Sequence, residues 1–345
     1  MVRIRHGLLV AVMGLGLGAS ACKKDEKKAD PATGGTPTGQ TAEKPATGTT
    51  PTTPATPSAA AAQGGDLALL PVDSEVVIGL NFAQLQKSAL WQKFVAPAMM
   101  KPEQQKKLEE FKAKCGFDPM ASVQSISMGL KNLGGDTPDG VVVAHGLPKA
   151  KMMGCLDAYK AEAEKEGTTI TTDQDVILVK DKRGETVAMS FVDDDTMIGV
   201  MGANANPAGV KAAAAGTSTL KSSPAFVELY SKINTGDSLW VLANGNSKAF
   251  DPLSALGSKP KAIYGSVNVT DGLALDLRAR METPDQAQQL ANMANSQAQA
   301  VKPMVDNLEV KNDGSDVQIK VALSTQKLEA LAKQFGSMMG GMGGM

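Results

Sequence analysis

The sequence predicts an α+β fold of antiparallel strands and amphipathic helices, placed after a long structureless stretch. Leu273, Leu275, Leu277 and Ala279 alternate with Asp276, Arg278 and Arg280, the period of a strand with one wet face. Val317, Ile319, Val321 and Leu323 repeat the pattern against Gln318 and Lys320. Between the two runs, Thr283 and Pro284 suit an N-cap and a first helical position, and Ala287, Leu290, Ala291, Ala294 and Ala298 then recur at helical spacing.

The remaining elements follow in chain order. Residues 76–80 read as a strand, and Asn81 with Gln84 suits a capping box for the helices that follow. Leu108, Phe111 and Cys115 line a helix that stops at Gly116. Strands are expected over 123–130 and 140–145, a helix over 149–166, one strand over 168–180, and a hairpin from 185–191 and 196–201. Residues 207–233 read as a helical bridge. Beyond it come a strand at 238–243, a short helix, strands at 262–269 and 273–280, the helix from Pro284, strands from Leu308 onward, and a last helix through Leu328, Leu331, Ala332 and Phe335. Asp271-Gly272 and Asp313-Gly314 are hairpin turns, because both residue types tolerate positive φ.

This order spells βαββαβ twice, and Asp73-Ser74 and Asp237-Ser238 precede equivalent strands. The expectation is two split βαβ, ferredoxin-like modules, residues 66–235 and 236–335, with antiparallel sheets and helices packed on one face. The two sheets are neighbours or one continuous surface.

The chain's start places it outside the cytoplasm. Arg3 and Arg5 precede an apolar run from Leu8 to Gly18, about half of the ~20 residues that a spanning helix needs, so residues 1–21 read as an export signal. Ala19-Ser20-Ala21-Cys22 resembles the lipobox of bacterial lipoproteins, which implies lipidation of Cys22. Ala19 departs from the leucine usual there, and ordinary secretory cleavage after Ala21 is the alternative. Lys23, in place of aspartate, implies the outer membrane in such proteins rather than the inner. Residues 22–65 then form a lipidated, disordered linker, because Pro, Thr, Ala, Gly and Lys with no larger aliphatic or aromatic residue cannot bury enough surface to offset ordering. The 43 residues after Cys22 span about 35 Å as a flexible coil. The lysines at 23, 24, 27 and 28 are interleaved with Asp25, Glu26 and Asp30 and read as solvation.

Cys115 and Cys155 remain as an even pair in an oxidising compartment, and a disulfide is the favoured reading over two buried free thiols. His145 is the one histidine of the mature chain, so neither a zinc-ligand set nor a Ser-His-Asp set is at hand beyond it, and no cofactor motif occurs. Ser218 to Lys221 and Ser324 to Lys327 fit Ser-x-x-Lys without the partner motifs of that chemistry. Asp193-Asp194-Asp195 lies between two strand runs and reads as a turn rather than a calcium loop. Residues 336–345 form a flexible Gly/Met tail whose Met338, Met339, Met342 and Met345 offer thioethers for Cu(I). A formal charge of −1 gives no nucleic-acid footprint, and 4% aromatic residues leave little for a stacking platform.

Residues 70–77 with 88–91, together with Cys115-Gly116-Phe117-Asp118-Pro119 and Asp194-Asp195-Thr196-Met197-Ile198, resemble a family of exported bacterial lipoproteins of unknown function across most of 66–335. The resemblance implies fold and compartment and carries no activity. The functional expectation is a non-enzymatic envelope module, held to a membrane by its N-terminal lipid, that binds an envelope protein or an apolar ligand. An envelope hydrolase using His145 and Cu(I) buffering by the terminal methionines are the alternatives.

Overall fold

The structure, a computed structural model, describes residues 65–99, 101–133, 138–248, 250–251 and 259–331, all in the compact unit that begins at Ser58. Twelve strands form one antiparallel sheet: β1 (Val76–Leu80), β2 (Ser125–Lys131), β3 (Asp139–His145), β4 (Thr169–Asp173), β5 (Val176–Lys180), β6 (Thr186–Phe191), β7 (Thr196–Met201), β8 (Leu239–Asn244), β9 (Ala262–Val269), β10 (Gly272–Arg280), β11 (Asn307–Asp313) and β12 (Asp316–Ser324). Their order across the sheet is β11-β12-β10-β9-β8-β1-β2-β3-β7-β6-β5-β4. Among the described residues the helices of six or more residues are α1 (Phe82–Lys87), α2 (Pro102–Cys115), α3 (Lys149–Lys165), α4 (Pro207–Ala214), α5 (Pro224–Tyr230), α6 (Pro284–Val301) and a last one at 325–331. Among the described residues no helix is long and apolar enough to cross a membrane.

Both halves follow one path: a three-strand meander, a helix, then strands that return so that the last lies beside the third. The halves meet where β1 pairs antiparallel with β8, Ile78 opposite Val241. The α+β class and the antiparallel pairing are as the sequence predicts, and the two halves share one sheet. The ferredoxin-like strand order is not found, because β1 adjoins β2 and β8 adjoins β9 directly, with no strand inserted between them. A split unit does occur later, where α6 joins β10 to β11 with β12 between them. The single strand expected over 168–180 is two, because Gln174 turns the chain at φ 53° and folds β4 back on β5.

Local signals account for the element ends. Gln84 N donates to Asn81 Oδ1 at 3.3 Å while Asn81 Nδ2 donates to Gln84 Oε1 at 2.9 Å, closing α1's cap in both directions. Gly116 ends α2 at φ 69°, a left-handed conformation that other residues adopt at a cost. Thr283 Oγ1 accepts from Gln286 N at 3.3 Å at the start of α6. Cys115, at the end of α2, is bonded to Cys155 on α3, and Phe111 rests on Tyr159 with ring centroids 5.8 Å apart, so the two helices are joined covalently and by packing.

The helices cover both faces of the sheet rather than one. On the first face, here the tryptophan face, Val77, Val143, Ile198, Trp240, Leu242 and Tyr264 pack with Val210 of α4 and Phe226 and Leu229 of α5, one core drawn from both halves. On the opposite, leucine face, α3 packs beside β4 over the buried Ile170, Ile177, Met189 and Met197, and α6 packs on β11 and β12. Neighbouring residues of a strand point to opposite faces, so a strand apolar on both sides needs a cover on each. β3, β5 and β7 are such strands.

Candidate functional site

The leucine face is only partly covered in the second half. Met281, Ala287, Ala291 and Val317 are at most 2% exposed and form a tight cluster under the first turns of α6, to which Ala279, Leu290, Val310 and Ile319 add. Toward the other end of the same strands the packing loosens. Register places Leu308, Val321, Leu275, Val267, Leu239 and Leu80 in one row across β11, β12, β10, β9, β8 and β1, and each is half-buried. The next row, from Val310 through Ile319, Leu277, Gly265, Val241 and Ile78, is also free of polar side chains. The result is an aliphatic surface six strands wide, about 24 Å at normal strand spacing. Among the described residues, these two rows carry no side-chain hydrogen-bonding group. On the other face of β10 and β12, Asp276 accepts from Gln318 Nε2 at 2.8 Å and lies 3.7 Å from Arg278 and from Lys320, so polar side chains there bond to one another.

A second cluster surrounds His145, at the end of β3 on the tryptophan face. Its Nε2 lies 2.7 Å from Asp66 Oδ1 and its Nδ1 3.1 Å from Thr196 Oγ1. The Thr196 hydroxyl donates to Asp195 Oδ1 at 3.3 Å, and Asp66 is acceptor-only when ionised, so both ring nitrogens face acceptors and the imidazolium satisfies both. Burial disfavours the charge, but the hydrogen bond and charge of Asp66, with Asp193 and Asp195 beyond it, outweigh burial and hold the histidine pKa above its ordinary value. The side chain is neither in an open cleft nor among aliphatics; it anchors the first residues of the domain to the sheet. Asp66 itself is 1% exposed, and its Oδ2, together with Ser125 Oγ and Ser127 Oγ on the same face, has no hydrogen-bond partner among the described residues.

This arrangement fixes a pH dependence. A raised folded pKa contributes stability that is present below the unfolded value near 6.5 and is lost as pH rises through the folded value. The stability difference between wild type and His145→Gln is therefore expected to be widest near about pH 6 and to narrow on the alkaline side. Urea denaturation across pH reads this, and a difference that widens with rising pH contradicts the assignment.

A groove of about 420 Å³ opens on the tryptophan face between α5 and the ends of β9 and β10, with Leu220, Phe226, Leu229 and Met281 among its apolar walls. Its cations are engaged: Arg280 is bonded to Asp316 and Glu228, and Lys261 lies 2.7 Å from Glu282. Its charged groups are thus committed to the fold.

The other residues singled out in the sequence are dispersed. Asp193 Oδ1 accepts from the backbone N–H of Asp195 at 3.0 Å and of Thr196 at 2.6 Å, which makes 193–195 a self-bonded turn between β6 and β7. Ser324 Oγ accepts from Lys327 N at 3.4 Å and caps the helix at 325–331, while Lys327 Nζ donates to the Pro303 carbonyl. Ser218 stands in a turn at φ 57°. Among the described residues no group of three His, Cys, Asp or Glu side chains is placed to hold a metal. Cys22 and the methionines of 338–345 lie outside the described residues, and of the short helix expected after β8 only a single helical turn around 248–251 is described. Two residues that organise these sites, Asp66 and Asp316, carry no local signal, because their partners are 79 and 36 residues away.

No family model, no curated protein and no solved structure matches the chain.

Proposed function

We propose that this chain is a lipid-anchored protein of the bacterial envelope, tethered through Cys22 to the outer membrane, whose aliphatic sheet face holds an acyl chain without catalysing a reaction. The half-buried rows through Leu275 and Val321 carry this reading, because a long surface without hydrogen-bonding side chains suits a ligand that has none. Burial of such a chain gains roughly 0.8 kcal/mol per CH₂, enough for a ligand of a dozen carbons. The export signal, the lipobox-like Ala19-Ser20-Ala21-Cys22 and the resemblance to exported lipoproteins support the compartment. The two alternatives draw on no geometry found here: His145 is engaged at both nitrogens, and the terminal methionines lie outside the described residues.

A fluorescent fatty acid added to the mature protein tests the reading. Saturable binding is expected, weakened at least about tenfold by Leu275→Gln with Val321→Gln, since each replaces an apolar contact by a group with no partner. Lys320→Gln, on the opposite face of β12, is expected to leave it unchanged. Failure of the wild-type protein to saturate overturns the reading.

A further inference from the structure

One end of the sheet gathers most of the exposed apolar side chains. Among the described residues, the large apolar side chains that stand exposed are Val72, Phe94, Val95, Val192, Val227, Val301 and Met304. Phe94 and Val95 belong to the segment after α1, and Val301 and Met304 to the end of α6 and the turn beyond it. Hydrogen bonds tie these segments together at the end where β9 turns into β10. Leu90 N donates to Thr270 O at 3.4 Å, the Thr325 hydroxyl donates to the Asp271 carbonyl, Lys93 pairs with Glu329, and Lys327 Nζ donates to Pro303 O at 2.7 Å. Phe94 is 46% exposed and Met304 46%, values at which a side chain of that size is in water without a structural reason.

The tether leaves from the same end. Asp66 is bonded to His145, the last residue of β3, whose partner Ser125 begins β2 beside the end of β1. From Asp66 the chain runs down the tryptophan face to β1's start, so Asp66, among the first described residues, stands at the end that carries Phe94 and Met304.

We propose that this end is a membrane-contact surface, with Phe94, Val95, Val301 and Met304 entering the headgroup layer of an anionic bilayer. Lys302 adjoins Val301, and Lys93, which is paired with Glu329, adjoins Phe94, so apolar tips stand beside ammonium groups, an arrangement that favours an interface with acidic lipids. Val192 shares the end but stands beside Asp193, Asp194 and Asp195, which anionic headgroups repel, so the contact centres on the second half. The half-buried leucine rows lie next to this end, since Leu273 and Leu323, the next pair on that face, are two residues from Asp271 and from Thr325 respectively. Contact of this end with a bilayer therefore sets the aliphatic face beside the lipid from which an acyl chain is taken. The inference rests on the proposed function for the purpose of that contact, not for the contact itself.

The test uses the mature-length chain with Cys22→Ser, so that no acyl anchor contributes, and vesicles of phosphatidylethanolamine with phosphatidylglycerol. Co-sedimentation with vesicles is expected, with quenching of the part-exposed Trp91 by brominated lipid while fully buried Trp240 serves as the unquenched reference. Phe94→Ser, Val301→Ser and Met304→Ser together are expected to weaken binding at least about tenfold, and Lys93→Gln with Lys302→Gln to weaken it on these vesicles more than on pure phosphatidylcholine. The circular dichroism spectrum checks that each variant is folded. Absence of vesicle binding by the parent chain, or equal binding by the triple variant, overturns the inference. Fatty-acid binding measured on the same samples separates that outcome from failure of the proposed function.

Discussion

Asp316→Ala is expected to cost about 3 kcal/mol of folding stability, because it removes a buried carboxylate and leaves the half-buried Arg280 without its main partner. Asp316 is 2% exposed and faces Arg280 across β12 and β10. Arg280 Nε donates to its Oδ1 at 2.5 Å and Nη2 to its Oδ2 at 2.9 Å, a two-point grip, and Lys232 Nζ adds a third bond at 3.2 Å. Burial works against the carboxylate, but Arg280, with Lys232, more than offsets it and holds the carboxyl below its ordinary range. A depressed folded pKa means that this contribution is present above the unfolded value and is lost as pH falls through the folded one. Glu228 retains Arg280 at 3.0 Å in the variant, which is why the expected loss sits at the lower end for a broken buried pair. Urea denaturation measures it, and the double variant Asp316→Leu with Arg280→Met is expected to lose less than Asp316→Ala alone. A loss for the single variant no larger than that of an exposed pair contradicts this account of the second half.

Gly79→Ala is expected to cost about 3 kcal/mol through overpacking at the centre of the sheet. A Cβ at Gly79 stands 2.1 Å from Trp240 Nε1 and 2.2 Å from Cε2, inside the indole. Trp240 has nowhere to retreat, being fully buried with its ring edge against Tyr230, centroids 5.2 Å apart. Gly79 and Trp240 are partners in the β1–β8 pairing, so the substitution strains the seam between the halves. Urea denaturation together with Trp240 emission reads both effects. Trp240→Leu in the alanine background is expected to recover part of the loss, and an unperturbed Gly79→Ala contradicts the central packing.

The sequence was legible wherever a signal is local. The alternation over 273–280 and 317–323, the caps at Asn81 and Thr283 and the stop at Gly116 each act within a few residues and each sits where expected. Strand order was not legible, because whether β1 pairs with β2 directly or with a strand between them is decided by contacts far apart in the chain. The β4–β5 turn was missed because Gln174 and Asp175 interrupt the pattern without glycine or proline.

The candidate site divides in the same way. Alternation showed that Leu273, Leu275 and Leu277 share a face, but not that the face is left half-buried, since its cover would come from helices placed by tertiary packing. The pairing of Cys115 with Cys155 followed from compartment and count, and the two are bonded. The links from His145 to Asp66 and from Arg280 to Asp316 had no sequence signature beyond an isolated charge.

Native mass spectrometry of the protein released from envelopes tests the central claim most directly, because one spectrum reports the covalent anchor and the occupant of the leucine face together. The account predicts a chain that begins at an acylated Cys22 and carries one further, non-covalently held acyl lipid that Leu275→Gln with Val321→Gln removes. An unmodified N-terminus, or an acylated chain that never retains a second lipid, would contradict it.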